Sequence, residues 1–296
     1  MTTGHKQPRG LLVSGRFPEL EDALCERVHE LRRGSSLAPL TVVVGSSNVR
    51  TRVGDLLVRR LGAVANVSVV TLARLAADLV AAARGAPPPT LAGLARERLL
   101  RRLIRRGELA YFAPVQDRPH FPQALAATFS DLREARVAPH SDWARAALGQ
   151  GATAVTPSGL AKSADLESLY GAYCDELARR GIADAAQTLL DAASAVREER
   201  ARAGALAAPS ASTAGALVGH RRVVLYGIYD LNQAQEALVG ELLGAGADVF
   251  VPIPRGGSGE DARALEAAPG GPRRRHRPRT ARRAVARVAA ARRACR

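Results

Sequence analysis

Residues 40–75 read LTVVVGSSNVRTRVGDLLVRRLGAVANVSVVTLARL. The stretch opens on a run rich in β-branched residues, Leu40–Val44, and a second one follows at Val67–Val70. Runs this short, apolar on both faces and bounded by Gly and Ser, are the mark of strands buried on both sides. Between them, from about Asn48 to Leu61, apolar residues return at helical spacing, and Leu72 to about Arg84 does the same. Working outward, Leu11–Ser14 is a shorter apolar run ended by Gly15. Pro18 and the acids after it suit a helix start, Leu20, Leu24, Val28 and Leu31 keep one face, and Gly34 stops it. Strand–helix alternation with short links predicts an α/β fold, a parallel doubly wound sheet.

The alternation stops at Pro87–Pro88–Pro89. From there to about Arg202 the spacing predicts helices alone: Leu91 to Arg106, Pro122 to Ala135, and one capped by Ser163 with a stripe of Leu166, Leu169, Tyr170, Tyr173, Cys174 and Leu177. Gly181 ends it, and Asp184 with Gln187 forms a capping box for the next. Strand character returns at Val223–Tyr226, a helix is expected over Leu231–Leu243, and a last strand over Ala247–Pro252. The expected organisation is thus an α/β domain begun at 10–84, a large all-α insertion at 85–202, an Ala/Ser/Gly/Pro linker at 203–219, a return to the sheet at 220–255, and a disordered Gly-rich, then Arg/Ala/Pro-rich, tail at 256–296.

Charge follows the same division. The formal net charge is +15, but residues 271–296 hold 11 Arg and no acid, and the rest balances 32 basic against 28 acidic residues. The body is only mildly basic. The tail reads either as a basic arm for nucleic acid or as the product of a lost coding frame in GC-rich DNA. No apolar run is long enough to span a membrane and Met1–Gly10 is polar, so the cytoplasm is the expected location. Cys25, Cys174 and Cys295 fit neither a disulfide framework nor a zinc site, and the first two are expected as buried thiols.

The sequence lacks the parts that catalysis needs. Lys6 and Lys162 are the only lysines and neither follows a Gly, so no phosphate-loop lysine exists. After the first strand stand Gly15-Arg16-Phe17-Pro18-Glu19-Leu20-Glu21-Asp22, whose acids would repel a triphosphate. A PD-(D/E)XK nuclease needs a carboxylate two residues before its lysine, where Gly4 and Leu160 stand instead. No His-Glu-x-x-His or Gly-x-Ser-x-Gly occurs. His140, Ser141 and Asp142 are expected as a loop and cap rather than a triad, and His29, His120 and His220 stand alone.

The order of the remaining motifs resembles UvrD-type helicases. In those, a second strand ends in a Thr-x-x-Asn-Lys-like motif, a third in Thr-Phe-His-x-Leu-Ala, and after a helical insertion an Asp-Glu-x-Gln-Asp-x-Asn-x-x-Gln motif returns to the sheet. Here the second strand ends in Gly45-Ser46-Ser47-Asn48-Val49-Arg50 and the third in Val70-Thr71-Leu72-Ala73-Arg74-Leu75-Ala76. After the helical block comes Val223-Val224-Leu225-Tyr226-Gly227-Ile228-Tyr229-Asp230-Leu231-Asn232-Gln233-Ala234-Gln235. Asp230, Asn232 and Gln235 match the last motif. Tyr226 and Gly227 replace its metal-holding Asp and catalytic Glu, and Tyr229 replaces its Gln. Tyr111-Phe112-Ala113-Pro114-Val115 and the segment from Phe121 to Asp131-Leu132-Arg133-Glu134-Ala135 complete a pattern that is similar to the B subunit of the bacterial AddAB helicase–nuclease, whose inactivated helicase fold is shared with RecC.

This resemblance, over roughly residues 10–255, implies a degenerate P-loop, RecA-like sheet in a truncated chain. It implies a non-catalytic DNA-binding scaffold in double-strand-break repair and recombination. Single-stranded or broken-end DNA and a UvrD-like helicase subunit are the implied partners. The implied DNA-binding residues are Ser46, Ser47, Asn48, Arg50, Thr71 and Arg74, with phosphate donors and charge but no aromatic platform close by. Tyr226, Gly227, Tyr229 and Asp230 mark the degenerate acidic position. The family's Mg²⁺, its iron–sulfur cluster and its PD-(D/E)XK exonuclease domain belong to regions outside this chain, so no cofactor is expected here. Two other readings stay open: a divergent nucleotide-binding α/β enzyme, and a protein-interaction module that docks a partner helicase.

Overall fold

The computed structural model describes residues 10–87, 89–91, 93–144, 146, 156–205 and 222–253. The expected linker, from 206, and the tail lie outside the described residues, as do His220 and Cys295. The described chain forms two compact units, one of residues 1–87 and 189–296, the other of 88–188.

The first unit is built on five parallel strands: β1 (Leu12–Gly15), β2 (Leu40–Val44), β3 (Val67–Thr71), β4 (Arg222–Tyr226) and β5 (Asp248–Pro252). Their order is β1-β5-β4-β2-β3. The sequence read these strands correctly because β2 and β5 are buried at every position and β4 at all but its first. One face carries α1 (Phe17–Arg32) and α2 (Ser47–Leu61). There Leu20, Leu24, Val28, Val53 and Leu57 pack on Val42, Val44, Val224, Tyr226 and Phe250. The alternate residues Val43, Leu225, Val249 and Val251 are equally buried. Burial on both faces explains why β2, β4 and β5 read as continuous apolar runs, whereas β3, expected to be buried on both sides, is an edge strand and only partly buried, as is β1.

α3 (Leu72–Arg84) follows β3 directly, with Gly85 in the left-handed conformation ending it. α7 (Ala185–Ala205) belongs to this unit from Leu189 onward. There Arg84 pairs with Asp191 of α7 at 2.7 Å, and Arg197 and Arg200 of α7 each reach Glu241 of α8 (Gln233–Gly244) at 2.8 Å. At the amino end of the sheet, buried Asp248 accepts from the Leu11 amide at 2.6 Å and from Arg27 at 2.8 Å, which ties β1, α1 and β5 together.

The second unit holds α4 (Gly93–Arg106), a short 3-10 turn (Ala113–Val115), α5 (Phe121–Glu134) and α6 (Pro157–Arg180). Leu99, Leu100, Ile104, Leu125, Phe129, Leu169, Tyr170, Tyr173 and Leu177 make its core. Ser163 does not cap α6. The cap is Thr156, whose hydroxyl accepts from the Gly159 amide at 3.1 Å, and Ser163 sits two turns inside, donating to the Gly159 carbonyl. The apolar stripe starts only at Leu166, so the earlier turns gave no periodic signal. Asp184 caps α7, accepting from the Gln187 amide at 2.8 Å. The helix expected over Leu231–Leu243 starts two residues later, because Asn232 is its N-cap. Cys25 and Cys174 are buried free thiols, and burial pushes both up from the ordinary thiol range. Among the described residues no helix is long and apolar enough to cross a membrane.

Candidate nucleic-acid interface

The strand order decides where a ligand can sit. β2 is followed by α2 and then β3, on one side of it; β4 is followed by α8 and then β5, on the other. Adjacent strands whose connections leave in opposite directions open a crevice at their carboxyl ends, and open α/β sheets bind ligands there. In this sheet that crevice lies between β2 and β4. The register sets their ends level, Val44 opposite both Tyr226 and Thr71, so the loops after β2, β3 and β4 leave the sheet side by side. Gly45 and Gly227 open two of those loops. A Cβ at Gly45 would come no nearer than 4.0 Å to the Gly227 carbonyl, and one at Gly227 would meet nothing within 4 Å. Gly227 also has φ +70°, a conformation that glycine takes without strain.

On the β2 loop, Ser46 accepts from the Val49 amide at 3.4 Å and so serves α2 as its N-cap. Ser47 and Asn48 are exposed, and their side chains make no hydrogen bond among the described residues. Arg50 is exposed and forms no ion pair among the described residues. Its neighbours do: Arg52 reaches Glu21 at 2.6 Å and Arg60 reaches Asp22 at 2.9 Å, so α2 neutralises two acids of α1 and leaves Arg50 over. On the β3 loop, Thr71 caps α3 by accepting from the Arg74 amide at 3.3 Å. Arg74 pairs with Asp78 at 3.0 Å across one exposed helical turn. Such pairs contribute about 0–1 kcal/mol, little enough for a phosphate to compete.

The β4 loop holds an exposed aromatic that the sequence marked only as part of the degenerate acidic position. Tyr229 stands 47% exposed, with Asp230 exposed beside it. β4 is the other neighbour of β2, so Tyr229 is an aromatic on the loop that leaves the sheet beside the β2 loop.

A nucleotide and its metal do not fit this edge. After β1, the Glu19 carboxylate folds back and accepts from the Arg16 amide at 2.9 Å, an anion of the protein's own where a phosphate would need the donor. Tyr226, at the place of a metal-holding carboxylate, turns its ring into the core under α1 and α2. Burial, then the nearby Glu21 charge, pushes its hydroxyl up to about 12. Asn232 and Gln235, which match the helicase motif, are spent on each other: the Asn232 side chain accepts from the Gln235 amide at 2.9 Å, and the Gln235 side chain from the Asn232 amide at 3.1 Å. Among the described residues no cluster of His, Cys, Asp or Glu is placed to hold a metal. Calorimetric titration with ATP and Mg²⁺ is expected to give no binding heat. Saturable, Mg²⁺-dependent heat would contradict this account of the β1 loop.

In comparison with known protein families, the chain matches the one described as ADDB, N-terminal, over residues 56–205, from within α2 to the end of α7. No curated protein matches it.

Proposed function

The chain belongs to the AddB N-terminal family, subunits of helicase–nucleases in DNA repair, and on that premise we propose that it is a non-catalytic scaffold holding single-stranded DNA at the carboxyl edge of its sheet. The observation that carries the proposal is the crevice between β2 and β4. Exposed Ser47, Asn48 and Arg50 follow β2, and exposed Tyr229 follows its neighbour β4. Hydroxyl, amide and guanidinium groups are the donors that hold phosphates, and an exposed tyrosine offers a base a face to stack on. Ser46 and Thr71 support the site by starting the helices that carry Arg50 and Arg74. The sheet is read as RecA-like and degenerate, with the energy of translocation supplied by a UvrD-like partner subunit. Residues 85–202 are read as a large all-α insertion in it.

The test is binding of a single-stranded oligonucleotide over a range of salt, on a chain shortened after Pro254 so that the tail's arginines do not mask the signal. Binding carried by phosphates weakens as salt rises, with a slope of about 0.7 per phosphate neutralised on a single strand. Arg50→Ala with Arg74→Ala is expected to weaken binding and to lower that slope by about one to one and a half. Equal affinity and slope with and without the two arginines would place the strand elsewhere.

A further inference from the structure

The second unit carries its own exposed aromatic, on a segment fixed more firmly than its position between two helices suggests. Asp165 of α6 is 5% exposed, and its carboxylate accepts three successive backbone amides: Ala110 at 3.1 Å, Tyr111 at 2.8 Å and Phe112 at 3.0 Å. The chain then descends through linked tight turns. Val115 donates to Phe112, Arg118 to Val115 and Phe121 to Arg118, each backbone to backbone. Arg101 of α4 donates to the Pro119 carbonyl. Phe112 and Phe121, half-buried with ring centroids 5.1 Å apart, anchor the segment. Tyr111 sits edge-on against Phe112 at 5.0 Å and remains 39% exposed.

Lys162 places its ammonium over the Tyr111 ring, 5.9 Å from the centroid, so one face carries a cation and the other is left for a ligand. Arg105, Arg106 and Arg118 are exposed in the same stretch of chain, against the exposed acids Glu108 and Asp117. None of these five groups has an ion-pair partner among the described residues. Asp165 holds the backbone of Tyr111, so the segment that carries the ring is already ordered and only the side chain loses freedom when something lands on it. An aromatic face with cations beside it is what a nucleobase and its phosphate require together.

We propose that Tyr111 is a base-stacking platform for single-stranded nucleic acid, with Lys162 and Arg118 as its phosphate partners and Asp165 as the positioning residue beneath it. The proposal rests on the DNA-binding reading above but concerns a different surface, on the helical unit.

The test uses the full chain and two oligonucleotides of equal length, one of thymidines and one of abasic sugars, at one salt concentration high enough to suppress phosphate binding by the tail's arginines. Tyr111→Ala is expected to weaken binding of the thymidine strand about tenfold for one stacked base and to leave the abasic strand unaffected. Tyr111→Phe keeps the π face and is expected to bind like the unaltered chain, while Tyr111→Leu behaves as Ala. No phosphate contact is lost, so the salt slope stays the same. Equal binding of the thymidine strand by Tyr111→Ala and the unaltered chain would overturn the platform, leaving the residue to packing or to a protein partner. Equal weakening on both strands would overturn it too, since charge or folding would then be the cause. If Arg50→Ala weakens binding where Tyr111→Ala does not, the sheet-edge reading stands without the platform. If the unaltered chain binds neither strand, both fall.

Discussion

Asp184→Ala is expected to remove about 3–5 kcal/mol from the stability of the helical unit. The Asp184 carboxylate is nearly closed to solvent and does two jobs. One oxygen accepts from Arg133 Nε at 2.9 Å, the other from the Gln187 amide at 2.8 Å as the cap of α7. Removing it leaves a largely buried guanidinium without a counter-charge, held by the neutral Gln187 side chain 2.7 Å away. The uncompensated charge is the dominant cost, and the lost cap adds about 1 kcal/mol within that range. Trp143 is the chain's one tryptophan and packs against Tyr170 in the same core, so its fluorescence in urea reports on this unit. Replacing both partners by apolar residues, Arg133→Met with Asp184→Leu, should recover at least half of the loss, because no charge is then left buried. A loss under about 1 kcal/mol for Asp184→Ala would show that Arg133 finds water or another acceptor.

The second large effect is expected at Asp165. Asp165→Ala leaves the amides of Ala110, Tyr111 and Phe112 without their acceptor. A hydrogen bond to a charged group contributes about 1.5–3 kcal/mol, but Ala110 and Tyr111 lie near enough to solvent for water to replace part of it. The expected net loss is about 3 kcal/mol. Asp165→Asn retains one carbonyl oxygen and should lose less than half as much. The same fluorescence-detected unfolding separates the two variants. Equal stability of Asp165→Ala and the unaltered chain would mean that the segment is held by its aromatic anchors and tight turns instead.

These two carboxylates show what the sequence could not disclose. Asp165 acts on a segment 53 to 55 residues away and Arg133 on a residue 51 away. Local pattern carries no trace of either pairing, which only tertiary packing creates. Strands were legible for the opposite reason. Residues such as Val42 and Phe250 are apolar because both faces of the sheet are covered, and that requirement is written into every position of the run. The strand order was not legible, since burial is the same whichever strand lies alongside. The candidate site suffered most from this. All three loops were found by motif, but only the pairing of β4 with β2 shows that the Tyr229 loop leaves the sheet beside the β2 loop. Caps were read where an apolar stripe began beside them, as at Asp184, and misread where polar turns preceded the stripe, as at Thr156.

The central claim, that single-stranded DNA lies across the β2–β4 crevice, is most directly tested by photo-crosslinking. A strand carrying 5-iodouracil joins covalently to aromatic side chains against which its bases rest, and peptide mapping identifies them. A crosslink at Tyr229, abolished by Tyr229→Ala and weakened by Arg50→Ala, is the result predicted. Crosslinks that form elsewhere on the chain and leave residues 45–50, 71–74 and 227–231 untouched would contradict it.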